Sequence, residues 1–143
     1  MTRQLIDTRD LIEEREELKG TIVVEFNEKF NANASDFDDV KTSMRDLYKD
    51  DREEFRNEMD SEFYRIKEID NLEEEMSQEF IYGVTMIHED YFEEYTEDLL
   101  KDCGYIPGDL PSWIVIDWAS TTSNLLDDCS ETLFDGETYY YWD

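Results

Sequence analysis

Over the last seventy-two residues of this 143-residue chain, Lys101 is the only lysine or arginine set against nineteen acids. Carboxylates are rarely buried without partners. Any fold of this stretch must therefore turn nearly all of them to solvent and build its core from the residues between them. Those residues are adequate for the task, because 14% of the chain is aromatic, too much for a disordered acidic tail. Residues 1–71 hold twelve bases and twenty-one acids, a net of −9, against −18 for residues 72–143, and the whole chain stands at −27. Self-repulsion of that size destabilises a compact state and keeps nucleic acid and anionic membranes away, so a basic partner is the natural inference.

The apolar spacing divides the chain into a helical N-terminal region, residues 1–79, and an acidic module, residues 80–143. In TRDLIEEREELKGTIVVEFNEKF, Leu11, Leu18, Ile22, Phe26 and Phe30 recur at sevens and fours, which predicts a long amphipathic helix from an Asp7 or Thr8 cap. The competing reading over residues 20–26 is a strand, since TIVVEF is β-branched and follows Gly20. A second helix, capped by Ser35 or Asp36, carries Val40, Met44, Leu47, Phe55, Met59, Phe63 and Ile66 to about residue 69. Leu72 to Phe80 continue as a third segment. The expected class is thus α+β: an N-terminal helical hairpin or coiled coil, then a small α+β module ending in a β-hairpin.

Within the module, IYGVTMI (residues 81–87) reads as a short buried strand, and a helix follows from His88 to about Cys103, with Gly104 as its stop. GYIPGDLP is a loop, Asp117 caps a helix through WASTTSNLLDDC, and Asp135-Gly136 between two β-rich runs predicts a hairpin. No run approaches the length of a membrane span, and no signal-peptide pattern opens the chain, which points to a reduced, intracellular setting.

Residue types for catalysis are scarce. Nucleophile-base chemistry needs a positioned base, and the single histidine, His88, lies on the apolar side of its predicted helix, where packing or capping is its expected role. Cys103 and Cys129 have no metal-ligand spacing and are expected to pack as small hydrophobes. No phosphate-cradling glycine loop or calcium loop is present, and with forty acids chance carboxylate pairs carry no information. The chain is expected not to be an enzyme and to need no cofactor or metal.

HEDYFEEYTEDLL, residues 88–100, holds two rows of acids at i, i+4: Glu89, Glu93, Glu97 and Asp90, Glu94, Asp98. Like charges at that spacing weaken a helix. On a helical wheel the six acids share one side, while Tyr91, Phe92, Tyr95 and Leu99 take the other. Each row repeats about every 6 Å along the axis, the order of the spacing between phosphates on duplex DNA. Two blander readings compete: a merely solvated face, and a salt-adapted composition, which predicts acids spread evenly between the halves.

The segment from Phe80 to Trp142, with YGVTMI, EDYFEEY, EDLLKDCG, IDW and NLLDDCSETLFDGETYYY, resembles small acidic proteins of phages and bacterial mobile elements. IDTRDLIEEREEL resembles the opening helix of the same group. The C-terminal part is also similar to the closing module of ArdA-type antirestriction proteins, whose aromatic-rich YxDYxxxARDL helix corresponds to IDWASTTSNLL. The match is partial: the arginine that ArdA-type sequences carry near the position of Asn124 is absent, and the chain closes on Trp142-Asp143 where the phage group tends to finish with arginine.

The resemblance implies a cytoplasmic inhibitor of host defence that mimics DNA in the groove of a restriction enzyme or CRISPR effector. Glu89, Asp90, Glu93, Glu94, Glu97 and Asp98 are then expected to stand in for phosphates. Asp127, Asp128, Glu131, Asp135 and Glu137 join them around the hairpin. The expected partner is a basic DNA-binding protein, with neither nucleic acid nor membrane bound directly. The alternative is an acidic adaptor that forms a homodimer through its N-terminal helices.

Overall fold

The computed structural model describes residues 4–142, so Asp143 of the closing pair lies outside the described residues. The fold is α+β and divides into two compact units, Arg9–Ile81 and Met1–Thr8 with Tyr82–Asp143.

The helical unit is built on α1 (Thr8–Phe30), α2 (Phe37–Arg45), α3 (Lys49–Glu58), α4 (Asp60–Met76) and most of α5 (Gln78–Tyr82). Residues 20–26 are helix, running straight through Gly20. The burial explains why: Ile22 and Phe26 are enclosed while Val24 is 53% exposed, a period of four where a strand would have placed Ile22 and Val24 on one face. Past α1, Asn27 clips the following loop by accepting the Ala34 N–H and donating to the Ala34 carbonyl. Asp36 caps α2 by accepting the Asp39 N–H at 2.9 Å, and Asp39 in turn accepts the Ser35 N–H.

The expected single helix to residue 69 is instead interrupted twice. Between Leu47 and Phe55 a straight helix would have put Asp51 on the core face. An extended Tyr48 (ψ 148°) and a kink at Met59 bring Phe55 and Met59 back to the core. Conversely α4 continues past residue 69, because Leu72 and Met76 extend the buried stripe of Ile66 and Ile69. It stops at Ser77, whose φ of 56° leaves the helical region.

Ile22, Phe26, Val40, Met44, Phe55, Met59 and Ile66 form the core, with Phe26 edge-on to Phe55 at 5.5 Å between ring centres. Fully burying an apolar side chain of this size contributes about 1.5–3 kcal/mol. The stripe of α1 that could have zipped to a second copy is thus spent inside its own unit. Arg15 is buried beside it, with Nη1 2.8 Å from Asp70 and Nη2 3.3 Å from Glu73. Burial opposes the charge, but hydrogen bonds to Glu73 and Asp70 more than offset it and hold the guanidinium pKa above its ordinary value.

The sheet unit contains β1 (Leu5–Asp7), β2 (Thr85–His88), β3 (Ser130–Phe134) and β4 (Glu137–Tyr141), all antiparallel in the order β1-β2-β4-β3. Asp135 and Gly136 have φ of 56° and 74°, the positive pair that a two-residue type I′ hairpin demands. The strand expected over 81–87 is shifted: Ile81 and Tyr82 end α5, Gly83 turns the chain at φ 99°, and pairing starts at Thr85.

Helix α6 (Phe92–Asp102) starts four residues later than expected, because His88 is still paired to Tyr139 in the sheet and the Glu89 N–H donates to Thr138. It ends as expected. Gly104, at φ 78°, lets its own N–H reach the Lys101 carbonyl and the Tyr105 N–H reach Leu100, the paired bonds of a Schellman stop. Helix α7 (Trp118–Leu126) is capped by Asp117, which accepts the Ser120 N–H at 3.1 Å and the Ser120 hydroxyl at 2.8 Å. Those bonds hold the Asp117 carboxyl below its ordinary pKa. No helix among the described residues is long and apolar enough to cross a membrane.

Candidate acidic interaction surface

All eleven acids singled out in the sequence fall in the sheet unit, but the structure gives them different environments. Within α6, Glu93, Glu94 and Asp98 are exposed and Glu97 is half-buried. The opposite face is aromatic, as the wheel predicts. Phe92 is buried, its ring 5.3 Å from Tyr140 and stacked on Trp142 at 5.6 Å, while Tyr95 lies 6.3 Å from Trp142. The sheet thus holds one side of the helix and leaves the acids on the other.

The late start of α6 changes the electrostatics of the rows. Glu89 and Asp90 precede the helix, in the turn after β2. Glu93 and Glu94 occupy its first turn, where the helix dipole favours anions. Inside the helix Glu93 with Glu97, Glu94 with Asp98 and Asp98 with Asp102 remain as like-charged pairs at i, i+4. Glu97 is moreover bridged by Lys101 at 2.9 Å, one turn on, an answer beyond the segment in which the rows were read. The Glu97 hydrogen bond raises the lysine's pKa. The helix therefore bears less internal repulsion than its sequence suggests.

Glu89 and Glu131 converge. Glu131 pairs across the strands with Tyr140, and the Glu89 backbone is bonded to Thr138 on the same strand. Burial, then the nearby Glu131 and Glu89 charges, raise the Tyr140 phenol pKa. Asp127 and Asp128 are exposed at the C-terminal end of α7, where the dipole disfavours anions and no basic residue occupies the last turn. Two of the eleven also have structural work. Glu137 accepts from Nε2 of the buried His88 at 2.9 Å, while His88 Nδ1 accepts the Asp90 N–H at 3.1 Å. Asp135 is held at positive φ in the hairpin turn. His88 is thus the packing and capping residue that its position predicts, placed in the sheet rather than on the helix.

Sequence reasoning missed an apolar component of the same unit. The loop after α6 leaves Tyr105 78%, Trp113 80% and Val115 86% exposed beside a cavity of about 560 Å³ lined by Ile106, Leu110, Ile114, Ile116 and Trp118. The available signal was WIVI, an apolar run with neither alternation nor helical period. Cys103, expected to pack as a hydrophobe, is exposed at the start of this loop. Cys129 is half-buried, with Sγ 3.5 Å from the Leu125 carbonyl. Among the described residues no three His, Cys, Asp or Glu side chains are grouped to hold a metal ion. No protein-family model, curated protein or solved structure matches the chain.

Proposed function

We propose that the sheet unit is a protein-docking module that mimics DNA: a non-enzymatic inhibitor that enters the DNA-binding groove of a defence enzyme such as a restriction enzyme or CRISPR effector. The observation that carries this reading is the exposed carboxylate face of α6, flanked by Glu89 and Glu131, in a unit with sixteen acids and two bases. Its net of −14 matches about 24 Å of duplex at one charge per about 1.7 Å. Asp127 and Asp128 lie at the end of α7 where the helix dipole disfavours anions, a local cost expected of groups kept for a partner. Trp113 and Val115 add an apolar contact of the kind that anchors protein interfaces.

The test is retention of host DNA-processing enzymes on the immobilised protein, read at low and at high salt. Replacing Glu93, Glu94, Glu97 and Asp98 by Lys is expected to abolish retention, and high salt to weaken that of the wild type steeply. Undiminished retention by the quadruple variant, with its circular dichroism unchanged, would sink the proposal.

A further inference from the structure

The helical unit carries a feature of opposite sign. A groove of about 370 Å³ is lined by five cationic side chains, Lys41, Arg45, Arg52, Arg56 and Lys67, together with Phe37, Phe63, Met44 and Ile66. No carboxylate among the described residues lies within 4 Å of any of the five cations. Elsewhere Arg15, Lys19, Lys29, Lys49, Arg65 and Lys101 each have one within that distance. In a chain with three acids for every base, five neighbouring cations without a carboxylate partner among the described residues are the reverse of what mutual attraction would assemble. The one carboxylate that lines the groove, Asp70, is already bound to Arg15. Two of the cations rest on aromatic faces, Lys41 Nζ 5.6 Å from the Phe37 ring centre and Arg56 Cζ 5.3 Å from that of Phe63. Such cation–π contacts hold the charges at the groove while leaving their hydrogen-bond donors unfilled.

We infer that this groove binds a compact, multiply phosphorylated small molecule. Size and charge density select the class. The volume falls in the range of small-ligand pockets, and balancing five cations within it takes several negative charges on few atoms. A phosphate group brings up to about two charges at neutral pH and a carboxylate one. Arginine's fork suits phosphate oxygens in particular. A long polyanion such as nucleic acid is disfavoured, because beyond the groove it would meet the rest of a unit that holds twenty-four acids.

Titration calorimetry of the full chain with inorganic tripolyphosphate at low salt is expected to show saturable one-to-one binding. Arg45→Ala and Arg52→Ala should each weaken it about tenfold, Arg45→Lys should recover part of the loss, and Lys49→Gln, outside the groove, should leave it unchanged. ATP in place of tripolyphosphate separates the two sources: tighter binding identifies a nucleotide, and equal binding a phosphate chain alone. Absence of saturable binding, a loss in Lys49→Gln equal to that in Arg45→Ala, or equal affinity for a DNA duplex would each overturn the inference. Circular dichroism of every variant separates lost binding from lost fold.

Discussion

The two units carry almost the same net charge by opposite means. The helical unit holds twenty-four acids and eleven bases, a net of −13, and the sheet unit sixteen acids and two bases, a net of −14. The imbalance between sequence halves came from cutting at residue 71, which assigned Glu73, Glu74, Glu75 and Glu79 to the wrong side of the unit boundary. Acidity is therefore common to both units, and what separates them is the use of cations. In the helical unit some cations tie helices together, as Arg15 does, Lys19 and Lys49 pair within their own helices, and five gather around a groove with no carboxylate among the described residues within 4 Å. The sheet unit nearly does without them. Net charge therefore does not distinguish the two units, and the distribution of the minority sign does.

The largest expected effect removes a core side chain of the helical unit. Phe26→Ala should cost about 3–5 kcal/mol, read by chemical denaturation. Fluorescence of Trp113, Trp118 and Trp142, all in the sheet unit, reports whether that unit melts separately. A single coincident transition would break the division into independent units.

Arg15→Ala should cost about 2 kcal/mol, below the range for fully buried pairs because Asp70 and Glu73 remain partly exposed. Lys101→Ala should barely register in the same assay. A cost for Lys101 equal to that for Arg15 would erase the contrast in cation use.

Gly20→Ala should stabilise α1 by about 0.5–1 kcal/mol, since the added methyl meets no atom within 4 Å. A loss of stability would show that residues 20–26 do not rest as helix.

The smallest effect is that of pH at Asp117. Its folded pKa lies below the ordinary value of 3.8, so its contribution is complete above that value and fades as pH falls through the folded pKa. Amide exchange in α7 should rise over that window in the wild type, and Asp117→Asn should remove the dependence.

The fold was legible where burial follows one period. The stripe of α1, the Asp117 cap, the Gly104 stop and the Asp135-Gly136 turn are all local signals, and each appears in the structure. What failed to show depends on distant partners. Leu5–Asp7 is too short to carry a period and becomes a strand only because β2 is there to pair with it. The late start of α6 is decided by Tyr139, fifty-one residues beyond its partner His88. Of the candidate surface, the exposed face of α6 could be read from the wheel. The bond between Glu137 and His88 could not, nor could the meeting of five cations on one groove, because Lys41 and Arg45, Arg52 and Arg56, and Lys67 lie on three helices that come together only in the fold.

Leu5–Asp7 has one more implication. Asp7 pairs with Thr85, and the next two positions close on each other: the Thr8 N–H donates to the Val84 carbonyl at 3.0 Å, and the Val84 N–H donates to the Thr8 hydroxyl at 2.9 Å. β1 and β2 are thus the arms of a hairpin whose tip has been opened to admit seventy-three residues. Topologically the helical unit is a guest in a host sheet, entering and leaving through adjacent points, so that a two-residue Asn-Gly turn could stand in its place. A gene rebuilt that way would encode the host alone, and trimming from the N-terminus would never produce it.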